Sequence, residues 1–328
     1  MCDSQSALLA AVIATAVAVT AASGPAHAQQ QFPTKPIRLV VGYTAGGQPD
    51  TLARMIGQKM SESWNQPVVI DNRPGGTGTL AAAIVAKAAP DGHTLLLAGA
   101  NFAGSAALQR SLPYDPFKDF ARVSHIGFGT QVLAVAPALG VTSVKDLIAL
   151  AQAKPGKIIF ASSAAGNAPY LIGAKFGYTA GIKVVTVAYK SAPVAMVEVM
   201  AGRAQYAIGS LVVVLPLIEG RKVHALAVFN PKRFPRLPDV PAMAEVLPEF
   251  KRPDISNGLL APAGTPQAII DQTNKEIARI LNLPDINARL QSVGFFPSPS
   301  TPEEYDTILR EQIESLSKLV RIAGLRAQ

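Results

Sequence analysis

The chain has 328 residues, of which 49% are hydrophobic, 16% charged and 6% aromatic, with a formal net charge of +8. It is too apolar for a disordered chain and long enough for two domains of about 150 residues. The basic excess favours anionic partners, but it is scattered, with Lys232, Arg233 and Arg236 the densest group. No run interleaves aromatics with Arg or Lys, which excludes stacked-base recognition of nucleic acid as the expected role.

Residues 1–28 read as a cleaved leader. Residues 7–22 are apolar apart from Thr15 and Thr20, and fall short of the ~20 residues a bilayer span needs. Ala26-His27-Ala28 then gives the small-x-small pattern of a signal-peptidase site, with cleavage after Ala28. The segment before the apolar stretch departs from that pattern, because it carries Asp3 and no Lys or Arg. The only cysteine, Cys2, lies within the leader, so the exported chain is expected to have neither a disulfide nor a thiolate nucleophile. No later segment is long and apolar enough to span a membrane.

From residue 37, short β-branched runs alternate with helical patterns. Ile37-Arg38-Leu39-Val40-Val41 predicts a buried strand. Residues 49–62 predict a helix with Leu52, Met55, Ile56 and Met60 on one face. A strand at 68–70, a helix at 80–89 and a strand at 94–98 follow. This alternation predicts a mostly parallel sheet with helices on both faces. The pattern then restarts with a strand at 132–136 and a helix at 144–153, N-capped by Ser143 and ended by Lys154-Pro155-Gly156. Strands at 158–160, 184–187 and 223–228 enclose helices at 169–176 and 193–201, giving a second α/β unit rather than a repeat.

The last segment has a strand near Leu259-Leu260 and a helix starting at Thr265-Pro266. A second helix opens on Thr301-Pro302-Glu303-Glu304, a capping box with Pro at the first helical position. Its core-facing stripe is Tyr305, Ile308, Leu309, Ile313, Leu316, Leu319 and Val320. Two α/β units with trailing helices imply a cleft between domains, where small ligands usually sit.

The most informative stretch is Val41-Gly42-Tyr43-Thr44-Ala45-Gly46-Gly47-Gln48-Pro49-Asp50, between a strand and a helix. Ligands of open α/β sheets bind at such carboxyl ends of strands, and free N–H groups at a helix start favour an anion. With no nucleophile or metal cluster, this loop predicts carboxylate or phosphate binding without chemistry; the alternative is an ordinary Gly-rich turn. Phe160-Ala161-Ser162-Ser163-Ala164-Ala165-Gly166-Asn167 holds the same topological place in the second unit. Taken alone, it also reads as a capped turn.

Gly76-Thr77-Gly78-Thr79-Leu80-Ala81 formally matches a dinucleotide fingerprint, but no Asp or Glu follows at the next strand, residues 94–100, to take a ribose hydroxyl. No cofactor is therefore expected. His93, His125 and His224 lack metal-ligand spacing, so no metal is expected either. There is no G-x-S-x-G elbow, no phosphate-binding G-x-x-x-x-G-K-[ST] loop and no H-E-x-x-H, and no enzymatic activity is expected.

Several further segments are distinctive jointly: Phe32-Pro33-Thr34-Lys35-Pro36, Gln66-Pro67-Val68-Val69-Ile70-Asp71-Asn72-Arg73-Pro74-Gly75-Gly76, Ala89-Pro90-Asp91-Gly92-His93, Leu112-Pro113-Tyr114-Asp115-Pro116, Leu237-Pro238-Asp239-Val240-Pro241 and Leu259-Leu260-Ala261-Pro262-Ala263-Gly264-Thr265-Pro266. With the first loop they resemble the Bug family, the extracytoplasmic solute receptors of tripartite tricarboxylate transporters, over residues 32–324. The resemblance implies an α/β, type II periplasmic-binding-protein fold, with two α/β lobes around a ligand cleft. Residues 32–129 and 232–328 would form lobe 1, and residues 130–231 lobe 2.

It also implies that the two loops grip one carboxylate through backbone amides, hydroxyls and ordered water, with Asp50 bracing the first. The expected ligand-binding residues are Tyr43, Thr44, Ala45, Gly46, Gly47, Gln48, Asp50, Asn101, Ser162, Ser163, Gly166, Asn167 and Ser210. The chain departs from the family pattern at Gln48-Pro49, in the second loop Ala161-Ser162-Ser163-Ala164-Ala165-Gly166-Asn167, at Lys190-Ser191-Ala192 and at Gly209, where an acid is frequent. Without that acid, an amino-acid ligand is not expected. The implied protein is a monomeric periplasmic receptor that captures a small organic carboxylate and delivers it to the membrane permease subunits of the transporter. The rival readings are a secreted α/β hydrolase, which would need a nucleophile–base pair in the cleft, and a receptor that presents its ligand to a sensor protein.

Overall fold

The computed structural model describes residues 32–325, Asp254 excepted; the predicted leader, its cleavage point and Cys2 lie outside the described residues. In chain order the first elements are β1 (Ile37–Val41), α1 (Gln48–Trp64), β2 (Val68–Asn72), α2 (Thr79–Ala86), β3 (Thr94–Ala98), α3 (Ala100–Leu108) and β4 (Phe120–Gly129). Then come β5 (Gln131–Val135), α4 (Val144–Ala153), β6 (Ile159–Ser162), α5 (Ala168–Thr179), β7 (Val185–Ala188), α6 (Ala192–Met200), β8 (Tyr206–Ser210), α7 (Leu211–Glu219) and β9 (His224–Val228). The chain closes with α8 (Met243–Val246), β10 (Asn257–Pro262), α9 (Gln267–Leu281), α10 (Pro284–Ser292), β11 (Phe295–Pro297) and α11 (Pro302–Ile322).

The strands form two sheets, in the orders β11-β4-β10-β3-β1-β2 and β7-β6-β8-β5-β9. β1 pairs in parallel with β2 and β3, and β6 with β7 and β8, as helical crossovers require. The other pairings are antiparallel, so both sheets are mixed rather than mostly parallel. The cause is the route of the chain. β4 leaves the first sheet and, after Thr130 alone, continues as β5 in the second, which it enters against the direction of β8 and β9.

The chain passes between the sheets meet at Thr130. Its amide donates to the carbonyl of Gly294 at 2.7 Å, and its hydroxyl accepts from the side-chain amide of Asn230 at 2.7 Å. The amide of Leu211 donates to its carbonyl at 2.9 Å.

Local chemistry explains the elements. The Ser143 hydroxyl accepts from the amide of Asp146 at the start of α4, and Thr301 and Glu304 form the predicted capping box of α11. Tyr305, Leu309, Leu316 and Leu319 of α11 are buried, each aliphatic side chain stabilising by about 2 kcal/mol. Ile308, Ile313 and Val320 flank that stripe, half-buried.

The periodicity misses α3, β4, β8, α7, α8, α10 and β11. β4 is buried almost throughout, so it does not alternate, and its polar residues are paired internally. Arg122 ion-pairs with Asp306 at 3.0 Å and donates to the carbonyl of Phe120 at 2.7 Å. α3, with the sequence ANFAGSAAL, has no polar face to mark a helical period, because six of its nine residues are buried.

Candidate functional site

The first loop leaves the carboxyl end of β1 and turns into α1. Asp50, in the first turn of α1, clamps it. Its carboxylate accepts from the amide of Gly46 at 2.9 Å, from Asn72 at 3.0 Å and from Arg54 at 3.1 Å. Burial alone would raise its pKa, but these hydrogen bonds prevail and hold it below the usual carboxylate value. Tyr43 is fixed from the other side, its hydroxyl accepting from the amide of Asn101 at 2.9 Å. Burial pushes that phenol up, so it stays protonated. The side chain of Asn101 donates to the carbonyl of Gly42 at 3.2 Å.

The second loop leaves β6 and turns into α5, with Asn167 as N-cap and Pro169 in the first turn. Its backbone lies against α3. A Cβ at Gly104 would collide with the carbonyl of Gly166, so the two segments approach as closely as glycine permits.

These two helix starts, from different sheets, open on one cavity of about 440 Å³. Of the residues expected from the sequence, Tyr43, Thr44, Gly47, Gln48, Ser163, Asn167 and Ser210 line it. Asp50, Asn101, Ser162 and Gly166 are buried behind the lining, and Ala45 and Gly46 are exposed at the loop tip. Asp50, Asn101 and Gly166 hold the shape of that wall through the contacts above.

The lining also contains residues that the pattern did not single out as ligand contacts. Residues 74–78 form a third wall, with Gly75, Gly76, Thr77 and Gly78 all at positive φ. The formal dinucleotide motif is therefore a tight turn. A Cβ at Gly78 would lie 2.6 Å from the side-chain carbon of Asn101. Gln131 enters from the crossover, Lys190 to Pro193 from the start of α6, and Arg252 and Ile255 to Asn257 from the approach to β10. Local sequence offered little signal for Gln131 and Arg252, because the topology brings them in.

The electrostatics favour an anion. Among the described residues the lining holds Lys190 and Arg252 but no Asp or Glu. It also lacks His and Cys, so it offers donors and two cations but no imidazole or carboxylate base. Among the described residues, buried side-chain atoms of the lining without a hydrogen-bond partner include Gln48 Nε2, Gln131 Oε1 and Ser163 Oγ, and Ser162 Oγ lies just behind. Buried polar groups are nearly always paired, so these atoms mark a wall whose hydrogen bonding the protein alone does not complete. Among the described residues no group of three His, Cys, Asp or Glu could hold a metal ion.

Residues 52–325 match the family described as "Tripartite tricarboxylate transporter family receptor". A UPF0065 protein of Bordetella bronchiseptica is 34% identical over 97% of this chain and 94% of its own length. Protein BugT of Bordetella pertussis is 31% identical over 97% and 98%. Among solved structures, R. palustris Rpa4515 with adipate superposes with a TM-score of 0.85 at 32% identity, covering 90% of this chain and 99% of that one.

Proposed function

The chain belongs to the tripartite tricarboxylate transporter receptor family, and we propose that it is the periplasmic member that captures a small organic carboxylate for the membrane permease subunits of such a transporter. The observation that carries this reading is the convergence of two helix-start loops, one from each sheet, on a cavity whose charged residues are Lys190 and Arg252. The Ser163 hydroxyl, buried and without a protein partner, lies on its wall. The adipate bound by the R. palustris relative is of the same chemical class.

In this reading residues 32–129 and 232–328 form one lobe, residues 130–231 form the other, and Thr130 lies at their hinge. The lobes close on a carboxylate held by Thr44, the backbone around Gly47, Ser163 and Asn167, while Asp50, Asn101 and Ser162 support those groups from behind. The receptor acts as a monomer, and residues 1–28 export it and are removed.

A thermal-shift screen of the protein lacking residues 1–28, against aliphatic and aromatic carboxylates, tests the reading. A ligand at about 100 times its Kd adds roughly 2.7 kcal/mol of stability, a shift of several degrees for a chain of this size. Methyl esters of an active acid should give no shift. Equal stabilisation by acid and ester would overturn the carboxylate grip.

A further inference from the structure

Residues 147–197 contain five lysines and no Asp, Glu or Arg. Positive charge that is scattered along the sequence is gathered by the second sheet. Ile159 of β6 pairs with Val185 of β7, and Phe160 with Tyr206 of β8. Val135, where β5 ends, pairs with Tyr206 and with His224 of β9. The residues just before these strand starts therefore lie along one edge of the sheet. They include Lys157 before β6, Lys183 before β7 and Lys222 before β9, with Lys154 and Arg221 beside them, and all of these are exposed. The amide of Gly156 donates to the carbonyl of Lys183 at 2.8 Å, and that of Lys157 to the carbonyl of Lys154 at 3.1 Å, so the lysines before β6 and β7 share one cluster of turns. With strands about 4.8 Å apart, the row runs roughly 19 Å from β7 to β9. Gln131 and Ser210, which line the cavity, pair at the opposite end of the sheet.

The protein leaves these charges unanswered. Among the described residues Lys154, Lys157, Lys183, Arg221 and Lys222 form no ion pair, and the neighbouring acids Glu198 and Glu219 are already neutralised by Arg203 and Arg236. A row of one sign favours an anionic partner. All but Arg221 are lysines, compact charges on flexible stems, which suit a diffuse negative surface better than bidentate capture of single carboxylates. Tyr178, 54% exposed near the end of α5, adjoins the row, because the amide of Ile182 donates to the carbonyl of Gly177 at 3.1 Å. The ammonium of Lys175 lies over its ring, 5.7 Å from the centroid. Tyrosine is enriched at the headgroup level of bilayers, and lysines near a membrane are drawn to anionic lipids.

Resting on the periplasmic reading, in which a membrane is at hand, we propose that this edge of the second sheet docks the protein on an anionic phospholipid surface. The contact is electrostatic and reversible, and it leaves the cavity, at the other end of the sheet, clear of the lipid.

The test is co-sedimentation with vesicles of about 30% phosphatidylglycerol in phosphatidylcholine. The chain from Gln29 onward is used, so that the apolar residues 7–22 are absent. At about 0.1 M salt the wild type should sediment with these vesicles and not with pure phosphatidylcholine, and about 0.5 M salt should release it. Lys157→Glu, Lys183→Glu and Lys222→Glu together should weaken binding about ten-fold or more. A control with the same change of net charge, Lys87→Glu, Lys232→Glu and Lys275→Glu at exposed positions outside the row, should stay within about three-fold. Equal loss in both variants would show that net charge alone is read and overturns the proposal, as does a wild type that ignores anionic vesicles. Binding to polyglutamate without binding to vesicles also overturns it, and assigns the edge to an acidic protein. If the charge-reversed variant does not fold, Lys157→Gln, Lys183→Gln and Lys222→Gln decide by the same outcomes. Vesicle binding can fail while acids still stabilise the protein in the thermal-shift screen, which would leave the carboxylate reading standing.

Discussion

The backbone amide of Gly46 donates a 2.9 Å hydrogen bond to the carboxylate of Asp50, four residues later in the chain. The helix thereby holds the loop that precedes it. The negative charge of Asp50 is turned toward Gly46, Asn72 and Arg54 rather than into the cavity. An acid can thus stand at the foot of an anion-binding loop and support it.

Replacing Asp50 by Ala should lower stability by about 2–3 kcal/mol, because its charge-assisted hydrogen bonds from Gly46, Asn72 and Arg54 are lost. It should also weaken ligand binding, although Asp50 does not line the cavity. Urea unfolding and calorimetric titration of the variant check both expectations.

The same carboxylate sets a pH dependence. Its folded pKa lies below the ordinary value, because hydrogen bonds from Arg54, Gly46 and Asn72 outweigh the opposing effect of burial. Its stabilisation is therefore complete above the unfolded value of about 3.9 and is lost as pH falls through the lower folded value. In urea melts from about pH 6 down to about pH 2, the stability gap between wild type and Asp50→Asn should be widest above about pH 4 and narrow below it.

Gly78 and Gly140 make a controlled comparison. Both have positive φ, but a Cβ at Gly78 meets the side chain of Asn101, whereas at Gly140 it meets open space. Gly140→Ala should cost about 1 kcal/mol, for backbone strain alone. Gly78→Ala should cost about 2–4 kcal/mol and reduce ligand affinity, because Asn101 must shift and it holds Gly42. Thermal melts of the two variants, with titrations, provide the check.

Gly104 of α3 and Gly166 of the loop after β6 touch, and in the proposed two-lobe reading they belong to different lobes. Gly104→Leu should hold the lobes apart by the width of a side chain. Small-angle scattering should then give a larger radius of gyration than wild type with ligand present, together with weaker binding.

Lys232 and Arg233 stood out in the sequence as the densest basic group. Both are exposed, and Arg233 is paired with Glu245 at 2.7 Å, away from the cavity lining. Lys232→Ala combined with Arg233→Ala should leave affinity within about three-fold at physiological salt, where charges are screened over ~8 Å.

The sequence made some of this legible and hid the rest for physical reasons. The Gly-rich loop after β1 and the serine-rich loop after β6 could be read locally, because a strand followed by glycines or hydroxyls and then a helix start is a contiguous signal. Ser143 and the Thr301–Glu304 box likewise announced their helices. What local pattern could not reveal was which expected residues line the cavity and which stand behind it: Ser162 and Ser163 are identical neighbours, yet only Ser163 lines it. Gln131 and Arg252 reach the site through the crossover between sheets, which leaves no mark in neighbouring residues. Residues 76–78, which formally match a dinucleotide pattern that the missing acid argues against, form a tight turn beside Asn101.

If two helix-start loops grip a carboxylate, one calorimetric comparison separates acid from ester and loop from background. An acid found active in the thermal-shift screen and its methyl ester are titrated into the wild type and into Ser163→Ala. The acid should bind the wild type and the ester should not, and Ser163→Ala should weaken the acid by about ten-fold or more while the variant's melting behaviour stays close to wild type. An ester that binds as well as the acid, or an acid affinity unchanged in Ser163→Ala, would contradict it.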